Sequence, residues 1–465
     1  MAIYYFMETI KEIIIKLLYY IKQAFQDKPD TLHGSASWHS AKFKILSKTN
    51  TGLTVNGIER ISLEDSYKNS IIIAPPGQGK TTTYIIPNVL NLNHSMIITD
   101  PSGEIYQATK DTLYSKLFDV RVINPNDPEN TYFYNPLQRA NTITDINKIT
   151  DTLINNAYQN DKSTTESSFW NTGAKNILNL VIQAVKKNPD PFKRNLKEAR
   201  RFLLLYGQPD EQRKMDKLTI EIEKYLYDDQ EAMQELASFF HETENVRTSF
   251  ITTAKTALNI FNNPNVCTLT NKDDICFESI KNGRRPVAIF LMVPEHETQY
   301  YSFLLNLFYT QVFNYCAFVG LEKTKPVFFL LDEFGNMGTL PYFNNIITTL
   351  RKRNCSISII LQDIKQLNNL YGRDTAETIF NSCASKIFFS NLGLETCEKV
   401  EKLLGKQTVN HKNSGTGKTT LHGRALMTSD EIRCLDRSKI IYIFSNQKPL
   451  LLKTKYYDVE RKRIV

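Results

Sequence analysis

The sequence has few cysteines, and none of them has the spacing of a metal-binding or redox motif. Its seven cysteines are an odd number, and no two of them are separated by two residues. A disulfide framework and a zinc site are therefore both disfavoured, and we expect reduced thiols, as in a cytosolic protein. The 465 residues also contain no proline-, glycine- or serine-rich linker, no low-complexity tract and no repeat. Such a length allows two or three domains, which we expect to be interleaved along the chain.

An uninterrupted apolar run is also missing from the amino-terminal segment, where a membrane span would need about 20 such residues. Charged residues interrupt this segment at positions 8, 11, 12, 16 and 22. No small-residue cleavage site of a signal peptide follows. The apolar residues recur at helical spacing, which predicts an amphipathic helix over residues 1–28. This helix either packs against its own domain, or lies on a membrane or against a membrane partner.

Acidic residues are fewer than basic ones. The chain has 57 Lys and Arg against 49 Asp and Glu, which gives a net charge of +8. A basic balance favours contact with nucleic acid or with an anionic membrane surface. The excess is modest for a chain of this size, so a solvated basic surface explains it equally well.

One stretch, KNSIIIAPPGQGKTTTYIIPNVL at residues 68–90, has the order of strand, small-residue loop and helix that a phosphate-binding loop requires. The apolar run from Ile71 to Ala74 predicts a buried strand, and an apolar helical stretch begins after Thr81. Loop glycines let backbone N–H groups close around phosphate oxygens, and the helix N-terminus adds its dipole. The stretch departs from the G-x-x-x-x-G-K-[ST] pattern only at Ala74, which replaces the first glycine.

This loop predicts a site for ATP, with Mg²⁺ as the accompanying metal ion. We expect Lys80 to bridge the β- and γ-phosphates and the Thr81 hydroxyl to ligate Mg²⁺. The residues expected to bind the nucleotide are Gly77, Gln78, Gly79, Lys80, Thr81 and Thr82.

A second stretch, KPVFFLLDEFGNMG at residues 325–338, supplies the acidic groups that such a site needs. The apolar run from Val327 to Leu331 predicts a central strand buried on both faces, and Asp332 and Glu333 follow it directly. We expect Asp332 to hold the Mg²⁺ shell and Glu333 to orient or deprotonate the attacking water. The alternative, two acids at a solvated strand end, is disfavoured by the phosphate-binding loop in the same chain.

Further apolar runs, mostly separated by helical stretches, predict a doubly wound, mostly parallel α/β sheet. Asp100 and Gln362 follow two of these runs, at the strand ends where such sheets bind ligands. Gln362 is suited to sense the γ-phosphate or to position water, although a simple hydrogen-bonding role is the alternative. The predicted strands are Ser95–Thr99, Val120–Ile123, Val287–Leu291, Ser356–Leu361, Lys386–Phe389 and Lys439–Phe444.

Together these segments resemble the coupling ATPases of type IV secretion and conjugation, often called the TraG type. The similarity begins at LHGSASW (32–38) and continues almost to the last residue. The other matching segments are the phosphate-binding stretch, DPSGE (100–104), YNPL (134–137), FW (169–170), TALNIFNNPNV (256–266), LLDEFGNMGTLP (330–341), IILQDIKQLNNLYGRD (359–374), ETIFNSCASKIFFS (377–390) and KLLGK (402–406). So many collinear segments are far more specific than the loop alone.

The resemblance implies a RecA-like P-loop NTPase with an inserted all-α domain. Residues 29–137 and 283–465 would form the nucleotide-binding domain, and residues 138–282, rich in helical patterns, would form the insertion. The active form would be a hexameric ring. Arg351 resembles the family's arginine finger, which acts on the ATP of a neighbouring subunit. A basic helix end is the alternative, because Lys352 and Arg353 follow it.

The resemblance also implies partners and a location. Such proteins bring a relaxase–DNA complex (the relaxosome) or a protein substrate to the membrane channel of a type IV secretion system, and pumping of single-stranded DNA is a further expected activity. Most members have two amino-terminal transmembrane helices, which are not found here. We therefore expect a cytoplasmic protein bound peripherally to the inner face of the cell membrane, through the amphipathic helix or a membrane adaptor.

Two other functions are compatible with parts of the sequence. An FtsK-like DNA translocase shares the motor, but the chain ends too soon after its last strand for the winged-helix module of that class. A catalytically idle platform that docks relaxosome and channel would not need the site residues. The intact Lys80, Thr81, Asp332 and Glu333 argue against idleness.

Another stretch, NSGTGKTT at residues 413–420, resembles the phosphate-binding loop. Its surroundings argue against a second ATP site, because Lys412 stands at the place of the first glycine and a polar segment precedes it. A helix is also not expected after it, since Gly423 interrupts the following stretch. Residues 406–424 contain several basic residues and no acid, which predicts either a solvated loop or one that faces DNA or the channel.

Overall fold

The computed structural model describes residues 14, 15, 18, 31–158, 165–319, 324–412 and 419–465. The amphipathic helix predicted over residues 1–28 falls almost wholly outside these described residues. Among the helices within them, none is both long enough and apolar enough to cross a membrane.

The strands agree closely with the apolar runs of the sequence, and each predicted run overlaps one strand. Their bounds are β1 Ser70–Ile73, β2 Ser95–Thr99, β3 Asp119–Ile123, β4 Val287–Leu291, β5 Val327–Leu331, β6 Cys355–Leu361, β7 Ser385–Phe388, β8 Lys406–Lys412, β9 Thr419–Ala425, β10 Lys439–Phe444, β11 Leu450–Lys453, β12 Tyr457–Asp458 and β13 Arg463–Ile464.

Nine of the described strands form one sheet, in the order β11-β10-β7-β1-β6-β5-β2-β4-β3. The seven strands from β7 to β3 in this order are parallel, whereas β10 and β11 are antiparallel to their neighbours. The predicted α/β fold with a doubly wound, mostly parallel sheet is confirmed. Because the parallel strands end at one edge, the residues that follow them are brought together there.

Both faces of the sheet are covered, as the apolar character of its strands requires. Alternate residues of β1 enter two different cores, with Ile71 and Ile73 on one face and Ile72 on the other. The larger core continues from the sheet into the helices that lie between β3 and β4, where it includes Leu178 and Phe202.

From residue 31 onward, the described residues form seventeen α-helices, of which the fourth to the eleventh fill the chain between β3 and β4. Their bounds are α1 Leu63–Ser66, α2 Ile86–Asn91, α3 Glu104–Ser115, α4 Ile143–Ala157, α5 Thr165–Lys186, α6 Leu196–Leu203, α7 Lys217–Leu226, α8 Gln230–His241, α9 Glu244–Ala257, α10 Pro264–Leu269, α11 Phe277–Asn282, α12 Ser302–Phe318, α13 Phe343–Leu350, α14 Ile364–Tyr371, α15 Arg373–Asn381, α16 Leu394–Leu404 and α17 Ser429–Arg433. The division into domains at residues 137/138 and 282/283 stays a prediction.

The stretch that resembles a phosphate-binding loop, residues 413–420, follows β8 and includes the first two residues of β9. These strands pair with each other in an antiparallel hairpin, from Lys406 opposite Ala425 to Lys412 opposite Thr419, and form a separate two-stranded sheet. Residues 413–418 themselves are outside the described part of the chain. Since a strand follows them where a phosphate-binding loop needs a helix, the structure agrees with the prediction that this is not a second ATP site.

Candidate active site

The phosphate-binding loop follows β1 at the edge where the parallel strands end. Gly77 and Gly79 have φ angles of 73° and 81°, in the left-handed region that favours glycine. A Cβ added at Gly77 would meet no atom within 4 Å, so the space beside this residue is open. The chain then enters a π-helical turn, Thr81–Ile85, that continues into α2. Such turns are rare and are frequent at functional sites.

Lys80 contacts both acidic residues that follow β5. Its Nζ atom lies 3.1 Å from Asp332 Oδ1 and forms an ion pair with Glu333 Oε1. All three side chains are largely buried, with exposed fractions of 13%, 7% and 9%. The strand order explains this meeting, because only β6 separates β1 from β5.

Burial and charge together set the protonation of this cluster. Burial raises the pKa of Asp332 to about 6, with a further upward effect from Glu333 and an opposing effect from Lys80. Burial alone would lower the pKa of Lys80, but the two carboxylates outweigh it and the net shift is upward. At neutral pH the site therefore holds a protonated Lys80 beside an ionised Asp332.

Glu333 has an unusual backbone. Its φ angle of 51° is left-handed, and its N–H donates a hydrogen bond to Asp332 Oδ1 at 3.0 Å. A non-glycine residue in this region costs folding free energy and persists only where the surroundings hold it in place. Here the ion pair with Lys80 and the turn Phe334–Asn336, which is anchored by the buried Phe334, hold it.

Gln362, which follows β6, lies in the same cluster. Its Nε2 atom donates to Glu333 Oε2 at 2.9 Å, while its own backbone N–H donates to Gln366 Oε1 at 2.8 Å. The amide thus contacts the carboxylate that the sequence assigns to the attacking water. This geometry suits the positioning role, and a purely hydrogen-bonding role stays open.

Asp100 also lies at this edge, at the end of β2. The side chain is completely buried and accepts hydrogen bonds from the backbone N–H groups of Tyr106 at 2.7 Å and Ile105 at 3.3 Å, in the first turn of α3. Burial raises the pKa of Asp100 to about 6, the two hydrogen bonds oppose this, and the nearby Asp332 adds to it. Its position after a strand was visible in the sequence, but its neighbours were not.

For the Mg²⁺-free protein, we expect the free energy of unfolding of Asp100→Asn to increase relative to that of the wild type as the pH rises. The pKa of Asp100 is about 6 in the folded protein, against an ordinary 3.8. The free energy of unfolding of the wild type therefore falls as the pH rises from the lower to the higher of these values. The total loss is about 3 kcal/mol, and the asparagine, which does not titrate, avoids it. Urea unfolding at pH 4 and pH 7.5 measures the difference, with the exposed Asp111→Asn as control. An unchanged difference at the two pH values would contradict the raised pKa.

Arg351 lies apart from the other predicted site residues. It is exposed in the turn Arg351–Arg353, which precedes β6, whereas Gln362 follows the same strand. The length of the strand places Arg351 about 20 Å from this chain's own site. Arg351 is therefore too far away to contact this chain's own phosphate-binding loop.

Two residues that the sequence did not single out contact the phosphate-binding loop. Arg437 Nη2 donates a hydrogen bond to the Gly77 carbonyl. Ser390 Oγ donates to Gln78 Oε1 at 2.8 Å. No pattern in the sequence marks either residue, because their proximity depends on how β7 and β10 pair beside β1.

The parallel sheet, the loop after β1 and the acidic pair after β5 define a RecA-like P-loop NTPase fold. The family model described as "Type IV secretory system Conjugative DNA transfer" matches residues 25–463. The chain therefore belongs to this family, as its motifs predicted.

Named relatives and solved structures agree with this assignment. Protein VirD4 of Rhizobium rhizogenes is 22% identical over 404 residues, which cover 84% of this chain and 58% of that protein. Conjugal transfer protein TraG of Escherichia coli is 23% identical over 455 residues, which cover 87% and 70%. The chain thus spans less than two thirds of the VirD4 relative.

Solved structures of the bacterial conjugative coupling protein TrwB have the same fold. The unbound TrwBdeltaN70 structure superposes with a TM-score of 0.69 at 16% identity, over 92% of this chain and 94% of that chain. A complex of TrwB with ADP and Mg²⁺ gives a TM-score of 0.67 at 16% identity, over 88% and 89%.

Proposed function

We propose that this chain is an ATP-driven coupling protein. It recruits a relaxase–DNA complex or a protein substrate to a type IV secretion channel, hydrolyses ATP as a hexameric ring, and moves single-stranded DNA. The observation that supports a motor is the buried cluster of Lys80, Asp332, Glu333 and Gln362 beside the phosphate-binding loop. The family and the names of its relatives support the place of this motor in conjugation.

The residues present fit ATP and Mg²⁺. Open space lies beside Gly77, and the combination of lysine, hydroxyl and carboxylate is that of a Mg²⁺–triphosphate site. Thr81 and Asp332 would hold the metal, whose charge would offset that of the phosphates. Lys80 would exchange its carboxylate partners for phosphate oxygens. The nucleotide complexes of TrwB support the same choice of ligand.

Glu333 and Gln362 are suited to the water that attacks the γ-phosphate. The carboxylate accepts the water's proton or aligns it, and the amide of Gln362 fixes the carboxylate by its hydrogen bond. Lys80 is protonated before the nucleotide binds, because the neighbouring carboxylates raise its pKa, and the phosphate oxygens would take over this effect afterwards.

Arg351 supports a shared site in the proposed ring. Its exposed position at the opposite edge of the sheet allows it to reach the nucleotide of a neighbour. The guanidinium would then offset charge on the transferring phosphoryl group, as an arginine finger does.

Mixed assemblies test this role. Arg351→Ala is expected to lower hydrolysis by about 1000-fold, the lower end of the known effect of an arginine finger, while nucleotide binding stays normal. Mixing Arg351→Ala with Glu333→Gln should restore some turnover, since one subunit supplies the arginine and another the carboxylate. Lys352→Ala, also exposed, is the control. If mixing restores nothing although the subunits assemble, Arg351 does not act between subunits.

Membership of the family supports the proposed location and partners. We place the protein in the cytoplasm, at the inner face of the cell membrane, with channel components or a membrane adaptor as its contact there. The β8–β9 hairpin, which belongs to the basic segment 406–424, is a candidate contact for DNA or the channel. Arg424 in this hairpin forms a surface ion pair with Glu431, so part of its charge is compensated.

The experiment that tests the whole proposal measures ATP hydrolysis by the purified chain with and without single-stranded DNA. Plasmid transfer is measured in cells whose only copy of the coupling protein is this chain. We expect hydrolysis that depends on Mg²⁺ and rises with DNA, and DNA binding that weakens steeply with salt. Normal plasmid transfer without any hydrolysis would instead support the idle docking platform.

A further inference from the structure

Arg437 contacts the phosphate-binding loop from the side of β1 that lies away from Glu333 and Gln362. It is exposed in the turn between α17 and β10, and its Nη2 atom donates to the carbonyl of Gly77. The neighbouring Asp436 accepts hydrogen bonds from Ser438, at 2.7 Å from its N–H and at 2.6 Å from its hydroxyl, which fix the turn. The guanidinium is therefore presented by a structured turn and not by a loose loop.

The strand order decides which part of a nucleotide this side faces. β10 is antiparallel to β7, so the start of β10 lies at the edge where the parallel strands end. In the sheet, β7 and β10 lie on one side of β1, whereas β6 and β5, with the catalytic residues, lie on the other. The γ-phosphate must face Glu333 and Gln362. The β7–β10 side is then left for the α-phosphate and ribose.

The same side is firmly attached to the loop. Ser390, which is only 4% exposed, follows β7 and donates to Gln78. The space beside Gly77 is open, and the guanidinium has five N–H donors, of which one is used on the Gly77 carbonyl. A phosphate oxygen is a stronger acceptor for these donors than a carbonyl.

We propose that Arg437 is a nucleotide-binding residue of this chain that contacts the α-phosphate and ribose end of the bound nucleoside di- or triphosphate. The inference rests on the proposed function, because it requires that the loop binds a nucleotide. Arg437 acts in the same subunit, unlike the role proposed for Arg351, and it contributes to affinity and not to the chemical step.

Binding of fluorescent ADP and ATP analogues, measured by titration, tests this role. Arg437→Ala is expected to weaken both by the same factor, about tenfold, the loss of one charge-assisted hydrogen bond. Arg437→Lys should recover part of the affinity, since it keeps the charge but not the fork of donors. The kcat/KM for ATP hydrolysis by Arg437→Ala should fall by about the same factor as the affinity. The control is Arg433→Ala, an exposed arginine at the end of α17.

The outcomes separate this inference from the proposed function. A wild-type chain that binds neither nucleotide overturns the proposed function itself. A wild-type chain that binds both, with unchanged affinities in Arg437→Ala, overturns only the inference. Weakened binding of ATP alone would place Arg437 at the γ-phosphate and also overturn it. Thermal unfolding without nucleotide verifies that each variant is folded. If Arg437→Ala does not fold, the affinities of Arg437→Lys decide the test.

Discussion

Lys80→Ala is expected to reduce ATP hydrolysis by at least about 100-fold and to abolish plasmid transfer. The ammonium group contacts both members of the acidic pair and lies 3.1 Å from Asp332 Oδ1. When a triphosphate binds, no other described side chain on the loop can supply that positive charge. Hydrolysis by the purified protein and transfer frequency in cells measure the two effects.

The chain offers an internal control for this variant. Lys418 stands in GTGKTT, the stretch that imitates GQGKTT around Lys80. Lys418→Ala should leave hydrolysis at the wild-type level, because a hairpin strand and not a helix follows it. If Lys80→Ala transfers DNA normally, the motor function is wrong. If Lys418→Ala also stops hydrolysis, the conclusion that residues 413–420 are not a nucleotide site is wrong.

Glu333→Gln is expected to bind ATP while hydrolysing it about 100- to 10,000-fold more slowly, since the amide can no longer accept the water's proton. The substitution keeps the shape of the side chain and an oxygen that can accept the hydrogen bond of Gln362. Single-turnover hydrolysis and nucleotide titration separate the chemical step from binding.

The loss of one negative charge also changes Asp332 in the Glu333→Gln variant. Because Glu333 raises the pKa of Asp332, the variant should hold Asp332 ionised to a lower pH.

The matched control for hydrolysis is Glu395→Gln, at an exposed acid at the start of α16, and it should behave as the wild type. Normal hydrolysis by Glu333→Gln would exclude it as the base and leave the buried Asp100 as the next candidate.

Much of the fold could be predicted because its strands are buried on both faces. Such strands are continuous apolar runs, and β2, β4 and β5 have the predicted bounds. Their parallel pairing then brings Lys80, Asp332 and Gln362 to one edge, so locating the strand ends in the sequence was sufficient for most of the site.

Other features have no local signal. The edge strand β11 alternates buried and exposed residues over only four positions, too few for a clear pattern. The contact of Arg437 with Gly77 joins residues 360 positions apart. It depends on the antiparallel pairing of β10 with β7, which no motif encodes.

The left-handed backbone of Glu333 bears on any attempt to raise the folding stability of this protein by substitution. Asparagine or glycine adopts such a φ angle more readily than glutamate does, by about 1 kcal/mol or more. Either residue would also remove one of two adjacent buried carboxylates. Such a substitution would relieve the backbone but lose the ion pair with Lys80, the hydrogen bond from Gln362 and the proposed catalytic carboxylate. The backbone geometry and the proposed catalysis therefore make opposite demands on this one residue.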